Sequence, residues 1–457
     1  MYSKGRLLLL TLAMWPWMGL HAQTINLTAN LATSANTPES SVAAEMSNIC
    51  TRLAALTSRT PEQTQLQSAC TQLGDASNDF AERVNGLVAI SAKVSTAQIT
   101  TVTRTSFGDQ GNLIDQRLNA LRRGLEDNSL SGLSPYINDQ QLAGHPVASL
   151  TGGAAGDSGA IGLEPSTLDF DLDALSVYLN GNIAVSEQTT TSHLAGFEAD
   201  AFAVLGGADY RFDDQGIAGV AINYLSNDLD LAFNQGQLEG QGFGLIAYGN
   251  YFPAEHWYLE GSVHAGSGSF DMSRNVAFTV NNITFSEIAN SSTDASETGL
   301  AFGGGYDTLL KNGALLEVSG QFSYSSSEID GYSETGGGGF NLNVTSQEVE
   351  QTLITVAAQL SKAIGTTRGV IIPHVRAAFI VDLSADEQTI TADFVSDPGN
   401  AAFSFTSPSR DSSYLELAAG GSLYLAGGGA LFAQLETLQL IDDYEQLTVS
   451  FGYRQEL

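Results

Sequence analysis

The stretch Leu447-Thr448-Val449-Ser450-Phe451-Gly452-Tyr453-Arg454-Gln455-Glu456-Leu457 decides the fold. Leu447, Val449, Phe451, Tyr453 and Leu457 alternate with Thr448, Ser450, Gly452, Arg454 and Glu456. Side chains of an extended strand point alternately to opposite faces, so this segment has one apolar face and one polar, charge-bearing face. The same pattern recurs upstream. Leu175, Val177, Leu179, Ile183 and Val185 alternate with Ser176, Asn180, Asn182 and Ser186. Leu316, Val318, Phe322 and Tyr324 alternate with Glu317, Ser319, Gln321 and Ser323, and Ile371, Val375, Ala377, Phe379 and Val381 alternate with His374 and Arg376. A wall that is apolar on one side and tolerates charge on the other separates hydrocarbon from water, as transmembrane barrel strands do.

Working outward from these segments, the pattern predicts strands near 174–187, 197–212, 216–230, 239–252, 256–270, 295–310, 313–327, 345–364, 369–385, 411–427, 429–441 and 446–457. The connectors at 213–215, 253–255, 311–312, 365–368 and Gly428 are short. Those near 188–196, 231–238, 271–294, 328–344 and 386–410 read as longer loops, and the one near 442–445 is brief. Short turns at one end and long loops at the other are the mark of an outer-membrane barrel, with an even strand count leaving both barrel ends in the periplasm. A soluble sandwich needs no such alternation, and a β-solenoid would show a fixed repeat that is absent. The expected fold is an all-β transmembrane barrel of twelve antiparallel strands preceded by a small α-helical domain.

Composition agrees. The chain has 457 residues, 18 Lys+Arg against 50 Asp+Glu, and a formal charge of -32. So negative a chain is no nucleic-acid binder, whose footprint is basic. With 43% apolar residues it is not a disordered polymer. Two cysteines are too few for a disulfide scaffold or a Cys-rich zinc site. No stretch is apolar for the roughly 18 residues of a transmembrane helix.

Before the strands, residues 1–22 read as a signal peptide: Lys4 and Arg6, an apolar run from Leu7 to Met18, then Leu20-His21-Ala22. Residues 23–126 form a helical passenger and linker-helix region. Val42, Met46, Ile49, Leu53 and Leu56 recur at helical spacing, and Pro61 opens a second helix with Leu66, Ala69 and Leu73 on one face. Cys50 and Cys70 are placed symmetrically about Thr60-Pro61, so an antiparallel hairpin turning there brings them together. Export into an oxidising compartment favours a disulfide over two buried thiols. Leu113, Leu118, Leu121 and Leu125 stripe a further helix that carries Arg117, Arg122 and Arg123. Residues 127–167 are a Gly/Ser/Pro linker, and 168–457 the barrel.

Several of these stretches resemble the autotransporter family. The barrel of that family is matched by Gly207-Ala208-Asp209-Tyr210-Arg211-Phe212 with Gly219, by Gly331-Tyr332 after a Tyr/Ser-rich strand, by Ile372-Pro373-His374-Val375-Arg376-Ala377, and by the aromatic last strand. Asn112 to Gly124 resembles the arginine-leucine helix that precedes some of these barrels. The resemblance spans about 170–457. It implies a signal peptide, an N-terminal passenger, a linker helix threading the pore, and a barrel that anchors and translocates that passenger. It also implies that Phe451, Tyr453 and Leu457 are read by the outer-membrane assembly machinery. Leu457 departs from the Phe or Trp usual there, and a short helical passenger departs from the usual long β-helix. The alternative reading is a plugged or gated outer-membrane channel with a periplasmic helical domain. Outer-membrane lipid and the assembly machinery are the expected partners, and no ligand of the passenger is legible.

No enzyme is expected. Gly156-Asp157-Ser158-Gly159 sits in a flexible linker without the fold its serine would need. Phe107-Gly108-Asp109-Gln110-Gly111-Asn112 has Gln110 where an esterase-like block needs its nucleophile. Asp169, Asp171 and Asp173 read as a solvated acidic edge, the six His show no ligand spacing, and neither metal nor cofactor is expected. Asp209, Arg211, Glu260, His264, Glu317, Arg376, Glu416, Glu436 and Arg454 fall on the polar, lumen-facing side of the strands. Either they form a solvated pore wall, or Glu260, Glu317, Glu416 and Glu436 receive the cationic helix of Arg117, Arg122 and Arg123.

Overall fold

A computed structural model of the chain describes residues 37–101 apart from Ala76 and Ala92, then Ile114, Arg117 and Leu118, two short pairs at 136–137 and 140–141, and residues 174–456 apart from Asp213, Asp214, Arg368 and 426–428. The signal peptide expected at 1–22, most of the linker at 127–167, Arg122, Arg123 and Leu457 lie outside the described residues.

Twelve strands form one closed antiparallel sheet: β1 Leu175–Gln188, β2 Phe197–Arg211, β3 Gly216–Leu231, β4 Gly236–Ala254, β5 Trp257–Val280, β6 Ile283–Leu309, β7 Leu315–Ile329, β8 Gln347–Ser361, β9 Gly369–Asp382, β10 Ser413–Leu425, β11 Gly429–Gln439 and β12 Tyr444–Glu456. Each pairs with its neighbours in sequence, and β12 closes on β1 from Tyr444 opposite Gln188 to Glu456 opposite Ser176. Closure leaves no unpaired strand edge, the condition for a sheet to stand in hydrocarbon.

The alternation of the last strand holds around the wall. Val177, Leu179, Val318, Val375, Phe379 and Phe451 are exposed on the outer face, Phe451 at 46%, while its neighbour Ser450 is at 0%. A water-soluble protein would bury the first set; an apolar outer band is stable only against lipid tails.

Connectors at the two ends differ. At one end lie the turns after β2, β4, β6, β8 and β10, together with the start of β1 and the end of β12. We call this the short-turn end. The opposite end carries the connectors at 330–346 and 383–412, which build a four-stranded sheet of Tyr332–Ser333, Leu342–Val344, Thr389–Phe394 and Phe403–Thr406. One expectation fails here: 271–294 is no loop. The ladder of β5 and β6 runs on from Asp271 opposite Ser292 to Val280 opposite Ile283, as a hairpin beyond the rest of the rim. Its turn is Asn281-Asn282, both at positive φ (52° and 62°), the backbone a two-residue hairpin needs and one asparagine tolerates. The connector expected at 231–238 likewise shrinks to 232–235.

Among the described residues four helices precede the barrel: α1 Pro38–Ala55, α2 Pro61–Gly74, α3 Phe80–Ile90 and α4 Lys93–Thr101. Proline at the first helical position follows a threonine cap in α1 and α2, and Thr60 with Gln63 forms a reciprocal capping box. Cys50 and Cys70 are disulfide-bonded with Cα atoms 5.5 Å apart, joining α1 to α2 across the 56–60 turn. Closing such a loop is worth about 3 kcal/mol in the chain-entropy picture.

Candidate functional site: the lumen and its helical cap

Near the short-turn end, the inner wall makes a socket for one arginine. Asp209, two residues before β2 ends, points inward and is 4% exposed. Arg117 is 1% exposed and donates from Nε to Asp209 Oδ2 at 2.9 Å, with Nη2 on the same oxygen. Its guanidinium carbon lies 4.1 Å from the centroid of the Tyr178 ring. Tyr248 stacks edge-on to Tyr178 and donates its hydroxyl to Asp209 Oδ2 at 3.2 Å. Two glycines make room for these rings. A Cβ on Gly207 would stand 2.6 Å from the Tyr178 hydroxyl, and one on Gly219 2.4 Å from the Tyr248 ring. Beside the socket Asn250 Nδ2 donates to the Leu118 carbonyl at 3.2 Å, and Ile114 and Leu118 join one apolar cluster with Leu205, Ile217, Ala221 and Ile246.

The described acceptor of Arg117 is Asp209, while Arg122 and Arg123 lie outside the described residues. Of the four glutamates proposed from sequence, Glu317 accepts the Tyr258 hydroxyl at 2.8 Å and Glu416 pairs with Arg376. Glu436 accepts from Gln434 Nε2 at 3.2 Å. Arg454 donates to Ser176 Oγ at 3.0 Å, and His264 Nε2 lies 2.7 Å from Glu297 Oε1. Glu260 and Arg211 are partly exposed. Sequence reasoning missed Tyr178, Tyr248, Glu297 and Ser327. All four sit at inward positions of the alternating pattern, but nothing in one sequence says which inward groups meet.

At the opposite end the helices cap the barrel. α3 lies on the β5 extension, α2 on residues 338–340, and α1 on the strand Phe403–Thr406. Phe278, Phe285 and Phe340 pack ring to ring beneath them. Polar contacts fix the dock. Gln65 donates to Glu287 Oε1 at 2.6 Å and accepts from the Gly339 amide at 2.8 Å. Arg274, buried, forks onto Glu334 at 2.9 and 2.6 Å and reaches the carbonyls of Phe340 and, on α3, Ala89. Arg52 forks onto Asp397 at 2.9 and 2.7 Å.

Burial works against the charge on Asp397. The Arg52 guanidinium and the amides of Ala401 and Gly399 outweigh it, holding the carboxyl below its ordinary value. Tyr332, buried with its hydroxyl 2.7 Å from Ser95 Oγ, is pushed up by desolvation and stays neutral. Among the described residues no three His, Cys, Asp or Glu side chains are grouped to hold a metal.

A closed twelve-stranded barrel, apolar outside and charged within, with its ends at the short-turn side, is an outer-membrane barrel. The profile of the autotransporter beta-domain matches residues 177–436, and the chain belongs to that family. The translocator domain of the autotransporter NalP from Neisseria meningitidis superposes with a TM-score of 0.50 at 15% identity, over 64% of this chain and 91% of that one. The beta domain of the Bordetella autotransporter BrkA superposes at 0.43 and 15% identity, over 62% and 100%. No curated protein matches the sequence.

Proposed function

We propose that the barrel carries its own helical unit across the outer membrane and holds it at the cell surface, with the connecting segment threaded through the lumen. One observation carries this reading. The helices at 38–101 dock at the long-connector end, Arg117 sits in its socket near the short-turn end, and β1 starts at that same end. A connecting segment threaded through the lumen, as proposed, satisfies all three. In a barrel inserted with its short turns in the periplasm, that route puts the helices outside. The periplasmic-domain alternative has the helices at the other end of the barrel. NalP, described as an autotransporter translocator domain, agrees in fold with the carrier role.

Trypsin added to intact cells tests the reading. Arg59 lies in the exposed turn between α1 and α2. Cleavage there is expected in unpermeabilised cells. The two halves stay joined by Cys50–Cys70 until reduced, so the cut appears only on a reducing gel. Protection until the outer membrane is breached rejects surface display.

A further inference from the structure

The β5–β6 extension has an open edge. Within the barrel β5 is paired on both sides, but its last partner in β4 is Gly236, opposite Arg274. Just above, the Asn275 amide donates to the Gln235 carbonyl at 2.9 Å. From 276 to 280 only β6 lies alongside. In a two-residue hairpin the residues flanking the turn, here Val280 and Ile283, exchange both backbone bonds, so Phe278 and Val276 also bond toward β6. The amides and carbonyls of Ala277 and Thr279 therefore point the other way, to the side on which Asn275 meets Gln235. Both residues are exposed, and neither has a backbone partner on that side among the described residues.

Proteins blunt such edges with charge, proline or a bulge. This one has none. Ala277 and Thr279 share their outer face with Ser286 and Thr284, and the ladder runs without irregularity. The chain has a formal charge of -32, yet these four positions carry none of it. At the foot of the edge, Asn275 Nδ2 donates to the Asn234 carbonyl at 2.9 Å and holds the 232–235 turn. That turn presents Phe233, 76% exposed and at φ 59°, a backbone region unfavourable for a bulky residue. Below it the exposed carboxylates of Asp228, Glu239 and Asp271 stand side by side across β3, β4 and β5.

We propose that this edge takes an extended segment of another polypeptide as an added strand, with an apolar side chain on Phe233 and basic residues over the carboxylates below. Strand addition draws affinity from main-chain bonds and specificity from side-chain contacts. The free groups of Ala277 and Thr279 supply the first, and Phe233 with the carboxylate row the second. That row favours a basic partner over a second copy of this acidic chain. Such binding goes beyond translocation and does not depend on which side of the membrane the helical unit occupies.

Fluorescence polarisation on the full-length protein in detergent tests it. The probe is a labelled peptide, Thr-Val-Thr-Val-Thr-Phe-Lys-Lys-Lys, whose antiparallel addition sets its lysines at the foot of the edge. Saturable binding is expected. Thr279→Pro should weaken it about tenfold, because the ring fills the edge and removes one donor while the ladder with β6 stays intact. Phe233→Asn should also weaken it, while asparagine tolerates the positive φ and the barrel keeps its heat-modifiable migration. N-methylation of the threonine amides should act likewise, since threonine takes the outer, polar face and its amide there points to β5. Glutamate in place of the lysines should abolish binding. No binding to the wild type, or binding that Thr279→Pro and N-methylation leave unchanged, overturns the added strand. Dimers that form without peptide and are lost in Thr279→Pro give the edge to a second copy and overturn the basic segment.

Discussion

A guanidinium removed from water depends on its acceptor far more than a surface one does. Arg117 and Asp209 are both buried, so Asp209→Ala leaves an uncompensated charge and is expected to cost about 3–5 kcal/mol. The loss reads as a lower temperature for conversion of the folded barrel to its unfolded gel mobility. The double variant Arg117→Leu with Asp209→Leu should lose much less, because no charge is stranded. Equal loss in single and double variants would mean that Arg117 is not in the socket. Asp397 supplies a pH test at the cap. Its folded-state value lies below the ordinary 3.8, so its contribution is complete above 3.8 and lost as pH falls below it. Limited proteolysis of the cap should accelerate below that point in the wild type. Asp397→Asn should raise cleavage at neutral pH modestly, by about 1 kcal/mol of docking, and flatten the acid response. The same acid onset in both proteins would remove Arg52–Asp397 from the account. At this scale little was legible in the sequence. Alternation announced that Asp209, Glu317 and Glu416 face inward. It could not announce that Arg376 would take Glu416, because that pairing follows from the register of β9 on β10.

Elements were legible where local signals were strong. Period-two alternation found twelve strands, and the capped, proline-led helices with symmetric cysteines gave the α1–α2 hairpin. The β5–β6 extension was readable in principle. Val276, Phe278, Val280 and Phe285 alternate across Asn281-Asn282, yet polar runs on either side resemble a loop, and what stabilises the ladder is the helical cap upon it. The register makes a graded prediction. Val375→Arg, on the outer face, should cost about 2–4 kcal/mol in lipid and Ser319→Arg, on a partly accessible stretch of the inner wall, much less. Ser450→Arg will not be silent although it also faces inward, since Ser450 has no free surface. Unfolding in detergent or lipid ranks the three, and equal damage at Val375 and Ser319 contradicts the register. β12 adds a test of assembly. We propose that Phe451, Tyr453 and Leu457 are recognised by the assembly machinery, as the family resemblance implies. Deleting 453–457 also removes pairs that close β12 on β1, so the product should accumulate in the periplasm and be degraded. Its recovery from the outer membrane as a heat-modifiable barrel would place recognition and closure elsewhere.

For the whole molecule, the route of the chain matters more than any single contact. In the proposed route the connecting segment returns from the long-connector end to the start of β1 through the lumen, while the described helices cap the rim. The threaded route was an expectation from the family resemblance, but the docking of the helices was not legible before the fold was known. It depends on which end of the barrel the helices meet, and therefore on contacts such as Gln65–Glu287 and Arg52–Asp397 between residues hundreds of positions apart. The most direct measurement inserts a short epitope into the exposed turn at 57–59 and asks where an antibody reaches it. The threaded, surface-held account predicts full antibody binding to intact cells, with no gain when the outer membrane is permeabilised. Binding that appears only after permeabilisation would put the helical unit in the periplasm and contradict it.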